Sequence, residues 1–308
     1  MKSKLYKKKY IILLGGPTAS GKSKLAINLA KKINGEIINA DSMQVYKNFP
    51  ILTSQPSEKD RKLIKHHLYG YFETNKSYNG SVWLKDSYSQ ISKIFSRGKN
   101  PIVVGGTGLY LEFMSEGISA IPSISLSTKN IVKEELNKKG LKNMYYYLEK
   151  IDPEYSKKIN LNDKTRITRA LQVFYETNKS ISYFHKKKKI NNDYDYYKIL
   201  LSPTKKQIIK NSIARFDQMI KQGLLEEFQN NKNNVKNCNI RKAIGYQELN
   251  DYFVNKSSLL NLSNNILQNT RNYAKRQFTW FNNRYKPQVK IDSYKKTSLI
   301  LESLSKII

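Results

Sequence analysis

Cysteine is almost absent from this chain of 308 residues, which contains only Cys238. A single cysteine excludes an internal disulfide framework and any zinc site built from several cysteines. It fits a reduced compartment, so we expect a cytoplasmic protein in which Cys238 is inert.

Long hydrophobic runs are also missing. The longest apolar run near the start covers residues 10–14, far below the roughly 20 residues that span a bilayer. No signal-type segment with a cleavage site follows it. The sequence therefore predicts a soluble protein with no membrane partner.

Acidic residues are scarce: 24 Asp and Glu stand against 55 Lys and Arg, a formal net charge of +31. Such a surplus is typical of a protein with a polyanionic partner. Most of the basic residues are lysine, however, and the chain is also rich in Asn, Ile and Tyr, as AT-rich coding DNA would produce. Because composition explains part of the charge, the charge alone is weak evidence for nucleic-acid binding.

Short apolar segments alternate with helical patterns along most of the chain. The predicted strands cover residues 10–14, 36–40, 101–104, 197–201 and 288–291, and helices are predicted over residues 22–33, 205–222, 264–282 and 298–308. Continuous apolar strands suit burial on both faces of a parallel sheet. The order strand, turn, helix, strand over residues 10–40 predicts a right-handed βαβ unit and an α/β fold.

The middle of the chain has a different pattern. Residues 118–195 offer no strand candidate and show helical spacing at 131–136, 141–148 and 165–176. We therefore expect an inserted helical subdomain at residues 118–195. Residues 1–117 and 196–308 are expected to form the parallel sheet core and the C-terminal helices.

A phosphate-binding motif opens the first predicted helix. The segment Gly16-Pro17-Thr18-Ala19-Ser20-Gly21-Lys22-Ser23 has the form G-x-x-x-x-G-K-[ST] and directly follows a buried strand, which is the context that the motif requires. Backbone N–H groups of the loop, the helix N-terminus and Lys22 would cradle a diphosphate or triphosphate, and Ser23 can ligate Mg²⁺. The sequence thus predicts a P-loop NTPase-like core with Mg²⁺ as cofactor.

The acidic residue expected beside this loop follows another strand. The third predicted strand is followed by Gly105-Gly-Thr107-Gly108-Leu-Tyr110, which has no carboxylate, whereas Asp41 directly follows the second predicted strand. Because the carboxyl ends of parallel strands open onto one crevice, Asp41, Thr107 and the phosphate loop should converge. Asp41 could equally be the N-cap of a following helix.

Eight segments, taken in order from about residue 10 to 285, resemble the bacterial tRNA dimethylallyltransferases. They are Gly16 to Ser23, Asp41-Ser42-Met43-Gln44-Val-Tyr46-Lys, Thr53-Ser-Gln-Pro56, His66-His67-Leu68, Gly105 to Tyr110, Asn162-Asp163 with Arg166 and Arg169-Ala-Leu, Ile244-Gly-Tyr246-Gln-Glu248, and Thr270-Arg271-Asn-Tyr273-Ala-Lys275-Arg276-Gln277-Phe-Thr-Trp280-Phe281. A match of eight segments in the same order is very specific for one family.

The resemblance implies a reaction and its catalytic residues. A dimethylallyl group would pass from dimethylallyl diphosphate to N6 of the adenosine 3′ of the anticodon, adenosine 37, in tRNAs that read codons beginning with U. Asp41 would be the general base, Lys22 would stabilise the departing diphosphate, and Thr107 would contact the target nucleotide. The phosphate loop would then serve the leaving group rather than ATP.

The resemblance also implies a tRNA-contacting set, because the adenosine must be extruded from the anticodon loop before its N6 is accessible. Lys129 belongs to this set, at a position where relatives usually have Arg. Its ammonium group is a point charge, whereas a guanidinium group is planar and can bind a phosphate through two hydrogen bonds. Only nine basic residues are arginine, which makes the arginines candidates either for phosphate contacts or for ion pairs within the protein. The full set is Asp41, Ser42, Met43, Gln44, Thr107, Lys129, Thr165, Arg166, Ile167, Thr168, Arg169, Arg215, Arg241, Arg271 and Arg276. The expected partner is the anticodon stem-loop, bound by a monomer.

The remaining conspicuous residues have simpler expectations. His66 and His67 are adjacent, so their side chains point apart and are expected to pack or to form hydrogen bonds rather than to ligate one metal. Trp280 and Phe281 could stack on bases, but we expect such aromatics to dock their helix onto the core.

Three alternatives remain open at this stage. A P-loop kinase of a small metabolite or nucleoside would explain the phosphate loop and Asp41, but would leave the helical insertion and the C-terminal arginines without a role. A nucleic-acid-binding NTPase would explain the charge. An enzyme that prenylates free nucleotides would not need the insertion.

Overall fold

The computed structural model describes residues 9–76, 78–189, 193–235 and 239–305. Cys238 and the end of the last predicted helix lie outside the described residues. The chain divides into two compact units, one of Met1–Ser115 with Asn192–Ile308 and one of Glu116–Asn191. Across the described ranges, every helix is too short or too polar to cross a membrane.

A six-stranded parallel sheet forms the centre of the first unit, with strand order β3-β2-β4-β1-β7-β8. The strands are β1 Tyr10–Gly15, β2 Gly35–Asn39, β3 His66–His67, β4 Asn100–Gly105, β7 Asp195–Leu201 and β8 Val289–Ile291. All five predicted strands are present, and the predicted α/β fold is confirmed. Because β4 lies between β1 and β2, the loops that follow these three strands are neighbours at one edge of the sheet.

Helices cover both faces of this sheet. Successive β1 residues alternate between two hydrophobic clusters, Ile11 and Leu13 in one, Ile12 and Leu14 in the other. The helices of this unit are α1 Lys22–Lys32, α2 Glu58–Leu63, α3 Gly80–Ser96, α4 Gly108–Glu116, α9 Lys205–Lys221, α10 Leu224–Asn231, α11 Tyr246–Asn255, α12 Leu259–Arg284 and α13 Thr297–Ser305, with 3₁₀ segments at Lys232–Asn234 and Asn239–Lys242. Residues of α1 and α13 pack in one cluster, and residues of α3, α9 and α12 in the other.

The second unit is mainly helical. Its elements are β5 Ile118–Ser119, α5 Leu126–Ile151, α6 Pro153–Ser156, α7 Lys164–Thr177, α8 Ile181–His185 and β6 Lys188–Lys189. Gly140 has φ 74° and interrupts α5, which separates the two helical segments that the sequence predicts there. The expectation of a strand-free stretch is wrong, since β5 and β6 form a short antiparallel pair. Two residues per strand are too few for a visible alternation of side chains.

Buried Asp152 joins two helices of this unit. Its Oδ1 accepts a hydrogen bond from Tyr155 N at 3.1 Å, and its Oδ2 accepts one from Ser182 N at 2.9 Å. One carboxylate therefore satisfies N–H groups in the first turns of α6 and α8.

Glu36 is a charged residue buried within β2, with 1% exposure. Its carboxylate lies 2.6 Å from His67 Nε2, 2.6 Å from an Arg97 guanidinium nitrogen and 3.2 Å from Lys99 Nζ. Burial alone would raise the pKa of Glu36, but hydrogen bonds from Arg97, His67 and Lys99 outweigh burial and lower the pKa to about 2. His66 Nδ1 lies 2.7 Å from a backbone carbonyl two residues earlier. The predicted hydrogen-bonding role of the two histidines is confirmed.

Candidate active site

The phosphate loop connects β1 to α1 and is shaped by left-handed backbone conformations. Gly21, the residue before α1, has φ 93°, and Ala19 has φ 58°. Glycine adopts such a conformation without the steric cost that a side chain would add at position 21. The turn leads directly into the first turn of α1, where free N–H groups and the helix dipole favour an anion.

Side chains from two distant helices hold this loop from outside. Asn211 of α9 donates a hydrogen bond to Ala19 O at 2.7 Å, and Arg215 of the same helix donates one to Thr18 Oγ1 at 2.9 Å. Gln277 of α12 accepts a hydrogen bond from Thr18 N at 2.8 Å. The conformation of the loop therefore depends on residues about 190 to 260 positions away in the sequence.

Lys22 folds back over the loop. Its Nζ donates hydrogen bonds to Pro17 O at 2.6 Å and to Ser20 Oγ at 3.5 Å. Burial, together with the neighbouring positive charge of Arg215, lowers the pKa of Lys22 to about 8, and Asp41 opposes this shift. Lys22 thus carries a charge that an anion would stabilise.

Asp41 directly follows β2 and is fixed by Asn39 from both sides. Asn39, fully buried, accepts a hydrogen bond from Asp41 N at 2.8 Å and donates one to Asp41 O at 2.9 Å. Asp41 Oδ1 in turn accepts a hydrogen bond from Met43 N at 2.9 Å. No helix begins here within the described residues, so the helix N-cap interpretation is wrong, although the carboxylate caps a turn in the same manner.

The loops after β2 and β4 are in direct contact. Thr107 N donates a hydrogen bond to Ala40 O at 3.3 Å, and Thr107 Oγ1 accepts one from Ser42 N at 3.1 Å. A Cβ atom at Gly105 would lie only 1.9 Å from Ala40 O, so no other residue fits there. The expected approach of Thr107 to the Asp41 segment is present in the structure.

Helix α12 packs against the segment from Gly105 to Gly108. A Cβ at Gly106 would lie 2.4 Å from Gln277 Nε2, and one at Gly108 would lie 2.1 Å from the Trp280 ring. Phe281, with 1% exposure, lies in the core beside them. The glycines of this segment therefore allow a close approach of α12, and the predicted docking role of these aromatics is confirmed.

A cavity of about 310 Å³ lies beside these loops, at the small end of ligand pockets. Both polar and apolar side chains line it. The polar residues include Thr18, Asp41, Ser42, Arg215 and Tyr273, and the apolar residues include Leu52, Phe216, Met219, Ile266 and Leu267. A ligand that combines an anionic group with a small hydrocarbon group would match this lining.

Charges of both signs face one another in this cavity. Burial lowers the pKa of the Arg215 guanidinium, and the Asp41 carboxylate acts in the opposite direction. Burial raises the pKa of Tyr273 well above its ordinary value, and Asp41 adds to that shift. Asp41 thus acts electrostatically on the cations near the phosphate loop and on a phenol of α12.

The predicted tRNA-contacting residues fall into several groups. Arg241, Arg271 and Arg276 are exposed in the first unit. Arg276 lines the cavity and also an open groove of about 430 Å³ with Asn272, Lys275 and Thr279. Gln44 uses its amide N–H groups within the protein, since they donate to Thr53 O at 2.9 Å and Ser54 O at 2.7 Å. These two N–H groups are therefore not available to donate to a tRNA base.

The residues predicted on the second unit differ in exposure. Lys129, Thr165, Arg166 and Arg169 are exposed, and Arg166 Nε lies 3.5 Å from Asp163 Oδ2, as in the ion-pair alternative. Thr168 Oγ1 donates a hydrogen bond to the backbone carbonyl of residue 164 at 2.8 Å. Ile167 has 0% exposure and packs in the hydrophobic core of this unit. The Ile167 side chain therefore lies in the core and not on the surface that a tRNA contact requires.

Sequence reasoning missed Asn39 and Gln277 as parts of the site. Asn39 is a polar residue within an otherwise apolar buried strand, and that placement is a usable signal. Gln277 lies within the segment Thr270 to Phe281 but carries no charge, so the charge pattern that marks the neighbouring arginines does not mark it.

Comparisons with known proteins agree with this geometry. A family model described as IPP transferase matches residues 44–284, and one described as isopentenyl transferase matches residues 9–71. A tRNA dimethylallyltransferase of Pelagibacter ubique is 38% identical over 311 aligned positions, covering 97% of this chain and 99% of that protein.

Two solved structures are similar over nearly the whole chain. A tRNA isopentenylpyrophosphate transferase from Bacillus halodurans has a TM-score of 0.70 at 29% identity, covering 98% of this chain and 97% of that one. A eukaryotic dimethylallyltransferase acting on tRNA has a TM-score of 0.81 at 27% identity, covering 96% of this chain and 77% of that one. The chain belongs to the IPP transferase family.

Proposed function

We propose that this protein transfers a dimethylallyl group from dimethylallyl diphosphate to N6 of adenosine 37, next to the anticodon, in tRNAs that read codons beginning with U. One observation carries the proposal: Asp41, Arg215 and Thr18 of the phosphate loop face the same cavity. A base, an anion site and a small apolar wall are the parts that prenyl transfer to an amine requires. The curated relatives bear the corresponding name.

The phosphate loop and its cations suit the leaving group. As the bond from C1 of the dimethylallyl group to diphosphate breaks, its electron pair passes to the diphosphate oxygen. Loop N–H groups, Lys22 and Arg215 would stabilise that charge without large rearrangement, because the loop is already held by Asn211, Arg215 and Gln277.

Asp41 would act as the base for the nucleophile, the N6 amine of adenine. The N6 amine of adenine is weakly nucleophilic because its lone pair is delocalised into the purine ring, so a base that accepts the N6 proton assists the new N6–C1 bond. Asn39 fixes the Asp41 backbone, and Met43 N orients its carboxylate. Thr107, bonded to Ser42, would contact the target nucleotide at the same edge.

Ser23, next to the phosphate loop, is the residue that could ligate Mg²⁺. Ser23 is exposed in the first turn of α1, and Mg²⁺ usually takes one or two protein oxygens together with substrate phosphates and water. In the part of the chain that the structure describes, no three His, Cys, Asp or Glu side chains form a metal cluster. Ser23 would hold the ion, which when bound would offset charge on the diphosphate.

The basic surface of α12 suits the tRNA. Arg276 lines both the cavity and the open groove, so a cation stands where an extruded nucleotide would enter. Arg271 and Lys275 add charge on the same helix, as contact with an opened anticodon loop requires. The helical unit would contribute Lys129, Thr165, Arg166 and Arg169. The protein would act as a monomer in the cytoplasm.

Nucleoside analysis tests the proposal directly. The gene is expressed in cells that lack the modification, and bulk tRNA is digested and examined by mass spectrometry. We expect N6-dimethylallyladenosine in tRNAs that read U-initial codons and none with an empty vector. ATP turnover by the protein alone, without the modified nucleoside, would favour the kinase or NTPase alternatives instead.

A further inference from the structure

We propose that Gln277 is a positioning residue that ties the diphosphate loop to the loop carrying Thr107. The inference rests on the proposed function, since it assigns the diphosphate to the first loop and the target nucleotide to the second. Gln277 would set the spacing between the leaving group and the nucleophile without contacting either one.

The side-chain amide of Gln277 bridges two backbones. Its Oε1 accepts a hydrogen bond from Thr18 N at 2.8 Å, and its Nε2 donates one to Gly106 O at 2.8 Å. The orientation of the amide is determined, because one neighbour can only donate and the other can only accept. With 5% exposure, the side chain makes both bonds away from bulk water.

Each bonded atom lies in one of the two loops of the proposed site. Thr18 receives the Arg215 hydrogen bond and precedes Ala19, whose φ is 58°. Gly106 precedes Thr107, which accepts the hydrogen bond from Ser42 N. A change in the length of the bridge would therefore displace the two halves of the site relative to each other.

The shape of the site leaves little room for another bridge. A Cβ at Gly106 would lie 2.4 Å from Gln277 Nε2 and 3.5 Å from Gly16 O, so the two loops and the amide are closely packed. Loss of the amide leaves Thr18 N without its partner and leaves Gly106 O with only Gly108 N, at 3.1 Å. An unsatisfied N–H in a buried place favours a shift of the loops.

The principal variant is Gln277→Met, which keeps the length and most of the volume but removes both hydrogen bonds. Gln277→Asn is the second variant; it keeps a polar amide but is one methylene too short to span both loops, and it is less disruptive to folding. Tyr285→Phe is the matched control. The Tyr285 hydroxyl makes a buried hydrogen bond to Leu13 O at 2.7 Å, and so joins the end of α12 to β1 outside the two loops.

Calorimetric titration with inorganic diphosphate measures the first half of the site independently of the transfer reaction. We expect Gln277→Met to weaken diphosphate binding by about tenfold and Gln277→Asn by a smaller factor in the same direction. Tyr285→Phe should change it by less than about twofold, although its melting temperature falls. Equal binding by Gln277→Met and wild type, or an equal loss in Tyr285→Phe, would overturn the inference.

Steady-state kinetics measure the spacing itself. We expect kcat to fall by about tenfold or more in Gln277→Met while KM for tRNA changes by less than about twofold, because misplacement of the reacting atoms affects the chemical step. A loss only in KM for tRNA would contradict a role in spacing. If wild type binds diphosphate in a Gln277-dependent manner but transfers no dimethylallyl group, the proposed function fails while the bridge stands.

Discussion

The lowered pKa of Lys22 predicts an unusual pH dependence of diphosphate binding. In the free protein this pKa is about 8, chiefly because the side chain is buried. A bound diphosphate would hold the ammonium charged and raise the pKa, so the protein must take up a proton to bind at higher pH. Binding is therefore strongest below pH 8 and weakens above it.

The magnitude follows from the fraction of protein in which Lys22 is charged. With a pKa of about 8, that fraction falls from about nine tenths at pH 7 to about one tenth at pH 9, so apparent affinity should fall by about tenfold. The phenols of Tyr69, Tyr110 and Tyr273 stay neutral in this range, because burial and the Asp41 charge raise their pKa values.

Calorimetry with inorganic diphosphate at several pH values is the assay, and Lys22→Arg is the control. Arginine remains charged throughout this range, while the ligand undergoes the same ionisation with both proteins. The affinity of wild type relative to Lys22→Arg should therefore fall by about tenfold between pH 7 and pH 9. A constant ratio would refute the reasoning.

Three further predictions concern the base, the tRNA and the packing of α12. Asp41→Asn should lower turnover by about two to four orders of magnitude with tRNA affinity nearly unchanged, because only the proton acceptor is lost; wild-type turnover in single-turnover assays would remove Asp41 from the mechanism. Alanine at Arg166 and Arg169 should reduce the modification rate more than filter-binding affinity at one fixed salt concentration, because nonspecific attraction persists while base extrusion fails. A loss of rate merely proportional to affinity would assign these arginines to the general electrostatic surface. Gly108→Ala should destabilise the protein by about 1–3 kcal/mol in urea unfolding, because the new methyl group meets the Trp280 ring; an unchanged midpoint would show that α12 does not pack as described.

Strands β1 and β4 were predictable because each contains a continuous apolar run. Residues 10–14 and 101–104 became β1 and β4 with changes of one residue at their ends. The three site loops could be placed together from the sequence because each follows a strand of one parallel sheet. The structure also explains why residues 105, 106 and 108 are glycine: a side chain there would meet Ala40 O, Gln277 or Trp280.

Other features could not be predicted, either because the local pattern is weak or because their causes lie far apart in the sequence. Helix α3 has an N-cap at Asn79 and buries Trp83, Ile91 and Ile94 among lysines and serines, so its apolar stripe is sparse. The strand β3 contains only His66 and His67, and its pairing with β2 depends on tertiary context. The Gln277 bridge joins residues separated by 259 and 171 positions, which no local pattern reveals.

The measurement that tests the central claim most directly is a product balance with purified components. Wild-type protein is incubated with unmodified tRNA, dimethylallyl diphosphate and Mg²⁺, and the mass of the tRNA and the released diphosphate are measured together. We predict that each tRNA gains one dimethylallyl group at the adenosine 3′ of the anticodon, that one diphosphate is released per group transferred, and that ATP is not needed. Unmodified tRNA accompanied by hydrolysis of ATP would contradict the account.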